Sequence, residues 1–339
     1  MVEPAYSVRS YEAGDEHGIV ELFNAVFDGE RSGRRTLEQW RWLFDSHSRE
    51  RQVAVGVASD GRIISHYGAI PLRVQVGDAV HVAAQIVDSM VHPDWRRGLQ
   101  REGPFLRTAR HFFDLWSSMP RNAIHYGFPN RRAYPIGRRF LRYTPFVEPV
   151  PVLYRNFFED PDDGAVGRRH AGALEVVEVA RFGGEMDELW SRVRSAYPLA
   201  LVRDAEYLRW RFDECPWLPY RRHLLREPDG GRLRGYFVTR PSWQGQPILA
   251  VTDFLAAPDD EAALAVALRT ATLQARASGQ ARVEAWLPER HPTFRHALAA
   301  GFRTEPGGNV LCMNLFVESP TREEALQRCY YTIGDSDVW

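Results

Sequence analysis

A turn rich in arginine and glycine lies between a strand-like segment that ends near Pro93 and a helical segment that begins at Pro104. Proline suits the first position of a helix, because the amide that it lacks has no partner there. The other amides of a helix start, together with the positive end of the helix dipole, attract an anion. The sequence therefore predicts an anion-binding turn. Its candidate residues are Arg96, Arg97, Gly98, Leu99, Gln100, Arg101 and Gly103.

The composition excludes several kinds of chemistry. All 43 basic residues are arginine, because the sequence contains no lysine. This excludes a lysine Schiff base, a pyridoxal phosphate lysine and the lysine of a P-loop. The three cysteines, Cys215, Cys312 and Cys329, lack the spacing of metal ligands, so we expect reduced thiols and no metal site.

Charge and hydropathy predict a cytoplasmic protein without membrane contact, and we expect a bacterial source. The formal net charge of −1 creates no overall attraction to nucleic acid or to a membrane surface. The first residues do not combine a basic segment with an apolar run, and no stretch approaches the roughly 18 apolar residues of a membrane helix.

The elements that must position the anion-binding turn occur twice. Residues 38–45 read EQWRWLFD and residues 206–213 read EYLRWRFD, an offset of 206 − 38 = 168. Landmarks that recur in one order indicate a duplicated fold unit. The other matching landmarks are DGRIISHYG (60–68) and GGRLRGYFV (230–238), Asp88 and Asp253, Pro93 and Pro258, Pro129 and Pro288, and Tyr143 and Phe302.

Each copy predicts a strand, two helices, a β-meander, a turn into a long helix, and a final strand, helix and strand. Residues 1–150 and 173–339 are the predicted domains, and residues 151–172, rich in proline, aspartate and glycine, are the predicted linker. We expect Trp42 and Trp210 to be equivalent core anchors.

The segment VDSMVHPDWRRGL (87–99), leading into GPFLRTARHFFDLW (103–116), resembles the GCN5-related N-acetyltransferase (GNAT) family in a tandem form. The resemblance implies an α/β fold with two tandem domains, each a mixed, mostly antiparallel sheet flanked by helices. In that family the turn binds the pyrophosphate of acetyl-CoA through backbone amides. Two registers are open here, residues 96–101 and residues 100–103.

The second copy departs from this pattern at the equivalent turn. Asp259, Asp260 and Glu261 follow Pro258 directly. Carboxylates suit a helix start, but they repel a pyrophosphate. We therefore expect the C-terminal half to keep the fold and to lack the donor-binding loop.

The resemblance also implies roles on the strand before the turn. Backbone groups of Ser89, Met90 and Val91 would hold the pantetheine and the thioester. Asp88 is a candidate to accept the proton of the amine. Because its counterpart Asp253 lies in the half without a donor turn, a structural role for both aspartates is an equal alternative.

The family motif N-x-x-A-x-x-x-Y begins here at Asn130, which the resemblance assigns to the donor site, and it places Gly137 at the tyrosine position. Tyr134 and Tyr126 are alternative proton donors to the leaving thiolate, although such a tyrosine is more often a core or rim aromatic. Solvent is a further proton source. Three histidines near predicted strand ends are weaker candidates for a base: His66, His92 and His125.

An arginine cluster accompanies the motif and comprises Arg131, Arg132, Arg138, Arg139 and Arg142. It is either a solvated helix face or a phosphate patch for CoA, for the phosphopantetheine of an acidic carrier protein, or for an RNA end.

These features predict an N-acyltransferase that moves an acetyl or other acyl group from acetyl-CoA or another acyl-CoA to an amine of a small molecule or peptide. Two alternatives are open. The donor is an acyl carrier protein or an aminoacyl-tRNA, or the chain is a GNAT-like binding protein without catalysis.

Overall fold

The computed structural model describes residues 6–27, 34–45, 50–96, 103–157, 170 and 172–337. The chain forms two compact units, and each is taken here through its described residues. The N-terminal unit comprises residues 1–73, 81–148 and 309–319. The C-terminal unit comprises residues 74–80, 149–308 and 320–339.

The N-terminal unit is a mixed sheet with helices. Its elements in chain order are β1 (Tyr6–Ser10), α1 (Asp15–Phe27), α2 (Leu37–Phe44), β2 (Gln52–Ala58), β3 (Ile63–Val76), β4 (Ala79–Val91), α3 (Pro104–Trp116), β5 (Ile124–Gly127), α4 (Tyr134–Phe140) and β6 (Pro145–Val147). A 3₁₀ turn, Pro93–Trp95, follows β4. The residues of α3 that face the sheet recur every three or four positions and are buried: Leu106, Ala109, Phe112 and Trp116.

The C-terminal unit repeats this plan. Its elements are β7 (Pro151–Asn156), β8 (Glu175–Val179), α5 (Glu185–Val193), β9 (Leu199–Leu201), α6 (Ala205–Leu208), β10 (Arg221–Arg226), β11 (Leu233–Arg240), β12 (Ile248–Ala256), α7 (Glu261–Ala277), β13 (Arg282–Ala285), α8 (Pro292–Ala299), β14 (Arg303–Pro306) and α9 (Arg322–Arg328). A π-helical turn, Arg209–Asp213, continues α6. β9 pairs with Val74–Val76, the end of β3 that belongs to this unit.

The two sheets have equivalent strand orders. A last strand, β15 (Leu311–Leu315), completes the first sheet, whose order is β1-β2-β3-β4-β5-β15-β6. Read from β8, the second sheet has the order β8-β10-β11-β12-β13-β7-β14. In both sheets the fourth and fifth strands, β4–β5 and β12–β13, are parallel. The predicted α/β fold with two tandem domains of mixed sheet and helices is confirmed.

The sixth strand of each sheet comes from the other half of the sequence. β15 pairs with β5 and β6 in the N-terminal unit, and β7 pairs with β13 and β14 in the C-terminal unit. Each compact unit is therefore built from several separate sequence ranges, whereas the predicted domains, 1–150 and 173–339, are continuous. The predicted linker, residues 151–172, begins with a paired strand rather than with a loop.

The repeated Arg-Trp phrase builds the same part of both units. Trp42 and Trp210 are both buried, as expected of core anchors. Within the part of the chain that the structure describes, none of the helices combines the length and the apolar character needed to span a membrane.

Candidate functional site

The parallel strands β4 and β5 separate part of the way along β4. Pairing joins Ala83–Gln85 to Ile124–Tyr126, whereas β4 continues to Val91. Backbone amides and carbonyls are obligatory hydrogen-bonding groups, so a strand edge that leaves its neighbour presents them to a ligand. Ser89, Met90 and Val91, the residues predicted to hold a thioester, lie on this separated part of β4.

Asp88 lies at the point where the strands separate, and its backbone is irregular. Its φ of +50° is in the left-handed region, which few residues other than glycine adopt. Its carbonyl oxygen accepts a hydrogen bond from Nδ1 of His66 at 2.7 Å. Burial lowers the pKa of His66, which keeps this imidazole neutral.

The carboxylate of Asp88 is held by a buried arginine. Nη1 and Nη2 of Arg35 donate to its two oxygens at 3.0 and 3.3 Å, and both side chains are buried. The arginine immediately precedes α2, whose capping box joins Thr36 to Gln39. The guanidinium also lies 4.0 Å from the ring centroid of Phe23. The helix start therefore fixes where this cation points.

The same ion pair recurs in the C-terminal unit. Nε of Arg203 donates to Asp253 at 3.2 Å, and its Nη2 donates to Asp335 at 2.6 Å. Arg203 and Arg35 are 203 − 35 = 168 residues apart, the offset of the Arg-Trp phrase. Both precede a helix N-cap, Asp204 in one unit and Thr36 in the other. This duplication favours the structural alternative for Asp88.

Helix α3 starts without a side-chain cap. Gly103 is the N-cap and Pro104 is the first helical residue. The next amides thus face the preceding turn, the arrangement that favours an anion. Residues 97–102, which include Arg97, Gly98, Leu99, Gln100 and Arg101, lie outside the described residues. Arg96 is exposed, and its Nε lies 3.4 Å from the carbonyl oxygen of Val91.

A group of hydroxyls lies beside the separated part of β4. The hydroxyl of Tyr67 is 3.0 Å from that of Tyr143, and Tyr67 also hydrogen-bonds the side chain of Ser89. The ring of Tyr67 is fully buried against Phe112 and Phe113 of α3. Burial raises the pKa of Tyr67 well above its ordinary value, so this hydroxyl keeps its proton.

The two predicted tyrosines have different surroundings. Tyr134 opens α4 and donates to Oε2 of Glu148 at 2.9 Å. Burial, together with this bond, raises the pKa of Tyr134. Tyr126 lies buried on β5, with its ring edge-to-face with Phe128 at a centroid distance of 6.2 Å.

Asn130 organises the turn before α4. Its Oδ1 accepts from the amides of Arg132 and Ala133 at 3.0 and 2.9 Å. Its backbone forms a bridge with Asn309, next to β15. The side chain is therefore engaged in shaping the local backbone.

The two other histidine candidates have structural contacts. Nε2 of His125 lies 2.9 Å from the carbonyl oxygen of Trp116, and burial lowers the pKa of His125 to about 4. His92 caps the 3₁₀ turn by accepting from the amide of Asp94 at 3.3 Å. Within the described residues, no cluster of three histidine, cysteine or acidic side chains is suited to a metal ion.

The C-terminal unit has the same strand separation, and its own tail occupies it. β12 pairs with β13 over Ile248–Val251 and continues to Ala256. The hydroxyl of Tyr330 donates to the carbonyl oxygen of Phe254 at 2.5 Å, and that of Tyr197 donates to the carbonyl oxygen of Ala256 at 2.6 Å. The backbone acceptors of β12 beyond the separation are thus engaged within the unit.

The tail is packed closely around Gly334. A Cβ on this glycine would lie 3.1 Å from the ring of Phe212 and 3.2 Å from the carbonyl oxygen of Thr252. Arg211, fully buried, donates to the carbonyl oxygens of Gly334 and Ser336 at 2.9 and 3.3 Å. These contacts tie the tail to the Arg-Trp helix as well as to β12.

The equivalent helix start is also closed. Asp260 is the N-cap of α7 and accepts from the amide of Ala263 at 3.1 Å. Its other oxygen lies 2.8 Å from Nη2 of Arg234. A carboxylate therefore takes the place that an anionic ligand would need.

Sequence reasoning missed three residues at this site. Arg35 had a usable signal, because it shares the offset of the Arg-Trp phrase with Arg203. Tyr67 and Tyr143 had none, since their contact joins β3 to the segment after α4.

Residues 7–140 match the family model described as an acetyltransferase (GNAT) domain. This match confirms the predicted GNAT resemblance over those residues. No curated protein sequence matches the chain significantly.

Solved structures share the fold over nearly the whole chain. A conserved Enterococcus faecalis V583 protein, described as a probable N-acyltransferase, is 15% identical, with a TM-score of 0.64 over 92% of this chain and 73% of its own. N-myristoyltransferase of Saccharomyces cerevisiae with bound myristoyl-CoA is 14% identical, with a TM-score of 0.57 over 93% and 79%. A GCN5-related N-acetyltransferase from Kribbella flavida is 17% identical, with a TM-score of 0.58 over 91% and 71%.

Proposed function

We propose that the N-terminal unit transfers an acyl group from an acyl-CoA thioester to a primary amine. The observation that carries this proposal is the separation of β4 from β5 beside the glycine-capped start of α3. A thioester donor has an extended amide-containing arm and a phosphorylated end. The strand edge can hydrogen-bond the amide-containing arm, and the helix start can bind the phosphorylated end.

In this proposal the backbone of Ser89, Met90 and Val91 hydrogen-bonds the pantetheine arm. The amides after Gly103, with the turn residues Arg96, Arg97, Gly98, Leu99, Gln100 and Arg101, bind the pyrophosphate. Arginine binds phosphate through paired N–H donors, so the absence of lysine does not weaken such a site. Asn130 contributes by shaping the turn before α4.

We assign Asp88 to positioning rather than to proton transfer. Its carboxylate is committed to Arg35, and the equivalent pair exists in the unit with the occupied separation. The pair fixes β4 where its backbone turns through a positive φ. The proton of the amine then leaves to solvent.

The arginine cluster supports a second donor. Arg131, Arg132, Arg138, Arg139 and Arg142 are all exposed, as is the apolar side chain of Ile136 in the same segment. An acidic carrier protein presents phosphopantetheine from a negatively charged surface, which this cluster complements. The acyl donor in this alternative is a carrier protein, while the reaction and the strand edge are unchanged.

The test is release of free thiol by the full-length protein. Acyl-CoA donors from acetyl to myristoyl are assayed with a panel of amines and short peptides, and each active acyl group is then offered on a carrier protein. Turnover with CoA donors supports the first proposal, and a preference of tenfold or more for the carrier-bound donor supports the second. If no thioester is bound or turned over, the proposed function is wrong.

A further inference from the structure

The C-terminal unit buries two arginines beside one tyrosine. Arg211 lies in the π-helical turn that continues α6, and Arg240 is the last residue of β11. They are 3% and 5% exposed. Arginine stays charged in proteins, so the burial of each side chain is costly unless a partner compensates it.

The N-terminal unit has apolar side chains at the equivalent positions. Leu43 answers Arg211 at 211 − 43 = 168, the offset of the Arg-Trp phrase. Ile70 answers Arg240 at 240 − 70 = 170, an offset that other repeated landmarks share. Both apolar side chains are buried. The duplicated fold therefore requires no cation at either position.

Arg211 is a fixed positive charge next to Tyr220. Its Nη1 donates to the hydroxyl of Tyr220 at 3.1 Å. Its Nε and Nη2 donate to the carbonyl oxygens of Gly334 and Ser336. These bonds hold the guanidinium between the tail and the phenol.

Arg240 has a donor without a partner. Its side chain hydrogen-bonds the hydroxyl of Tyr220, and its guanidinium carbon lies 5.1 Å from the ring centroid of Trp243. Within the described residues, its Nη1 is buried and has no hydrogen-bond partner. Burial lowers the pKa of Arg240, and the charge of Arg211 acts in the same direction. This direction is expected of a buried cation that lacks a compensating anion.

Tyr220 supplies a second donor at the same place. Its oxygen accepts from both arginines, and a phenol that accepts still has its own proton to donate. Burial raises the pKa of Tyr220, so the phenol keeps this proton. One N–H of Arg240 and the O–H of Tyr220 are therefore available to one ligand. This number matches the two oxygens of a carboxylate, whereas the further oxygens of a phosphate would lack donors.

The cluster is open to solvent at the segment after the π-helical turn. Cys215 interacts electrostatically with both arginines, and the amides of Trp217 and Leu218 hydrogen-bond its sulfur. All three of these residues are half-buried. The two other cysteines, Cys312 and Cys329, are buried. The thiol of Cys215 is therefore a reporter for a ligand at the cluster.

We propose that Arg240 and Tyr220 bind the carboxylate of a small organic acid, with Arg211 as the second positive charge of the site. Nη1 of Arg240 donates to one carboxylate oxygen, and the hydroxyl of Tyr220 donates to the other. The site lies within the C-terminal unit. It goes beyond the proposed function and does not depend on acyl transfer.

Thiol modification of the full-length protein tests the proposal. A water-soluble thiol reagent should modify Cys215, and Cys215→Ser should abolish the reaction. Acetate, butyrate and hexanoate are each compared with chloride at equal ionic strength. At least one carboxylate should slow the modification by about fivefold or more at saturation, because it covers the thiol and offsets the positive charge that favours the thiolate. An unchanged rate with all three acids overturns the proposal, and protection by inorganic phosphate alone overturns the choice of a carboxylate.

The variant Arg240→Ile gives this position the residue of the N-terminal unit. It should abolish the protection of Cys215, while Tm stays within about 2 °C of wild type or rises, because an apolar side chain replaces a buried cation. Arg232→Ile, which removes an exposed arginine paired with Glu227, is the matched control and should leave the protection unchanged. Full protection in Arg240→Ile overturns the site.

A second variant keeps the test decisive if Arg240→Ile does not fold. Tyr220→Phe keeps the ring, which lies edge-to-face with Phe212 at 5.1 Å, and removes only the hydroxyl. The carboxylate concentration that gives half-maximal protection should rise by about tenfold or more, since one hydrogen bond to a charged group is lost. An unchanged concentration overturns the role of Tyr220 and with it the two-donor site.

Discussion

Each unit contains a pair of parallel strands that separate, but different groups contact the separated strand in the two units. In the C-terminal unit, Tyr330 and Tyr197 occupy the backbone acceptors of β12. In the N-terminal unit, Ser89 on the equivalent part of β4 hydrogen-bonds Tyr67, whose hydroxyl lies 3.0 Å from that of Tyr143. A duplicated scaffold thus keeps its strand geometry whether or not it retains a binding role, because the geometry comes from sheet pairing.

The helix starts differ in the same sense. In the N-terminal unit, the turn before the helix spans 104 − 93 = 11 positions, from Pro93 to Pro104, and the helix is capped by glycine. In the C-terminal unit, the equivalent turn spans 261 − 258 = 3 positions, from Pro258 to Glu261, and the helix is capped by aspartate. The longer turn and the glycine cap occur together with the contact between the hydroxyls of Tyr67 and Tyr143. These differences support the proposed assignment of the donor site to the N-terminal unit.

The largest expected effect is the loss of stability on substituting Arg203, the buried arginine that contacts the tail. Arg203→Ala leaves Asp253 and Asp335 without their cation in a fully buried setting. We expect the free energy of unfolding to fall by about 3–5 kcal/mol in denaturant titrations. Arg181→Ala, which removes an exposed ion pair with Glu214, is the control and should cost about 1 kcal/mol or less. An effect of Arg203→Ala no larger than that of the control contradicts a locked tail.

A smaller effect is expected from exchanging the two helix caps. Gly103→Asp places a carboxylate where Asp260 lies in the other unit, so acetyl-CoA affinity should fall by about tenfold or more while Tm holds or rises. Asp260→Ala should lower the free energy of unfolding by about 0.5–2 kcal/mol and leave acetyl-CoA affinity unchanged. Calorimetric titration and thermal melting measure both arms. Loss of acetyl-CoA binding in Asp260→Ala would reverse the assignment of the two units.

The smallest effect expected for one step in conditions, a change of one pH unit, is a pH dependence common to both units. Burial lowers the pKa of His125 in the first unit and of His223 in the second to about 4. Between about pH 6.5 and 4 the imidazoles are protonated in the unfolded chain but neutral in the folded one. The free energy of unfolding therefore decreases as the pH is lowered, by about 1 kcal/mol per pH unit for each histidine. His125→Gln should remove only the contribution of the first unit. Identical pH profiles for variant and wild type would show that His125 titrates normally.

The sequence predicted the duplication and the GNAT fold well, because repeated landmarks and hydrophobic periodicity are local signals. It also paired Asp88 with Asp253 correctly in position. It did not predict the exchange of the sixth strands, β15 and β7, since the choice of a β partner is made between distant segments. Each unit therefore takes one strand from the other half of the sequence, whereas the sequence predicted two successive domains and a linker.

The close approach of Tyr143 to Gly137 shows a second limit of sequence reasoning. Gly137 was visible as a departure from the family motif, but the ring that explains it comes from Tyr143, six residues later. Only the backbone turn at Arg142 brings the two together. Tyr134, one helical turn from Gly137, was a candidate from spacing alone, and its hydroxyl bonds Glu148.

Calorimetric titration of the full-length chain with acetyl-CoA tests the central claim most directly. The open strand edge of the N-terminal unit predicts about one site per chain. Gly98→Glu should abolish this site, and replacement of Asp259 and Glu261 by alanine should leave it intact. Two equal sites per chain, or loss of binding on changing 259 and 261, would contradict the assignment of donor binding to the N-terminal unit.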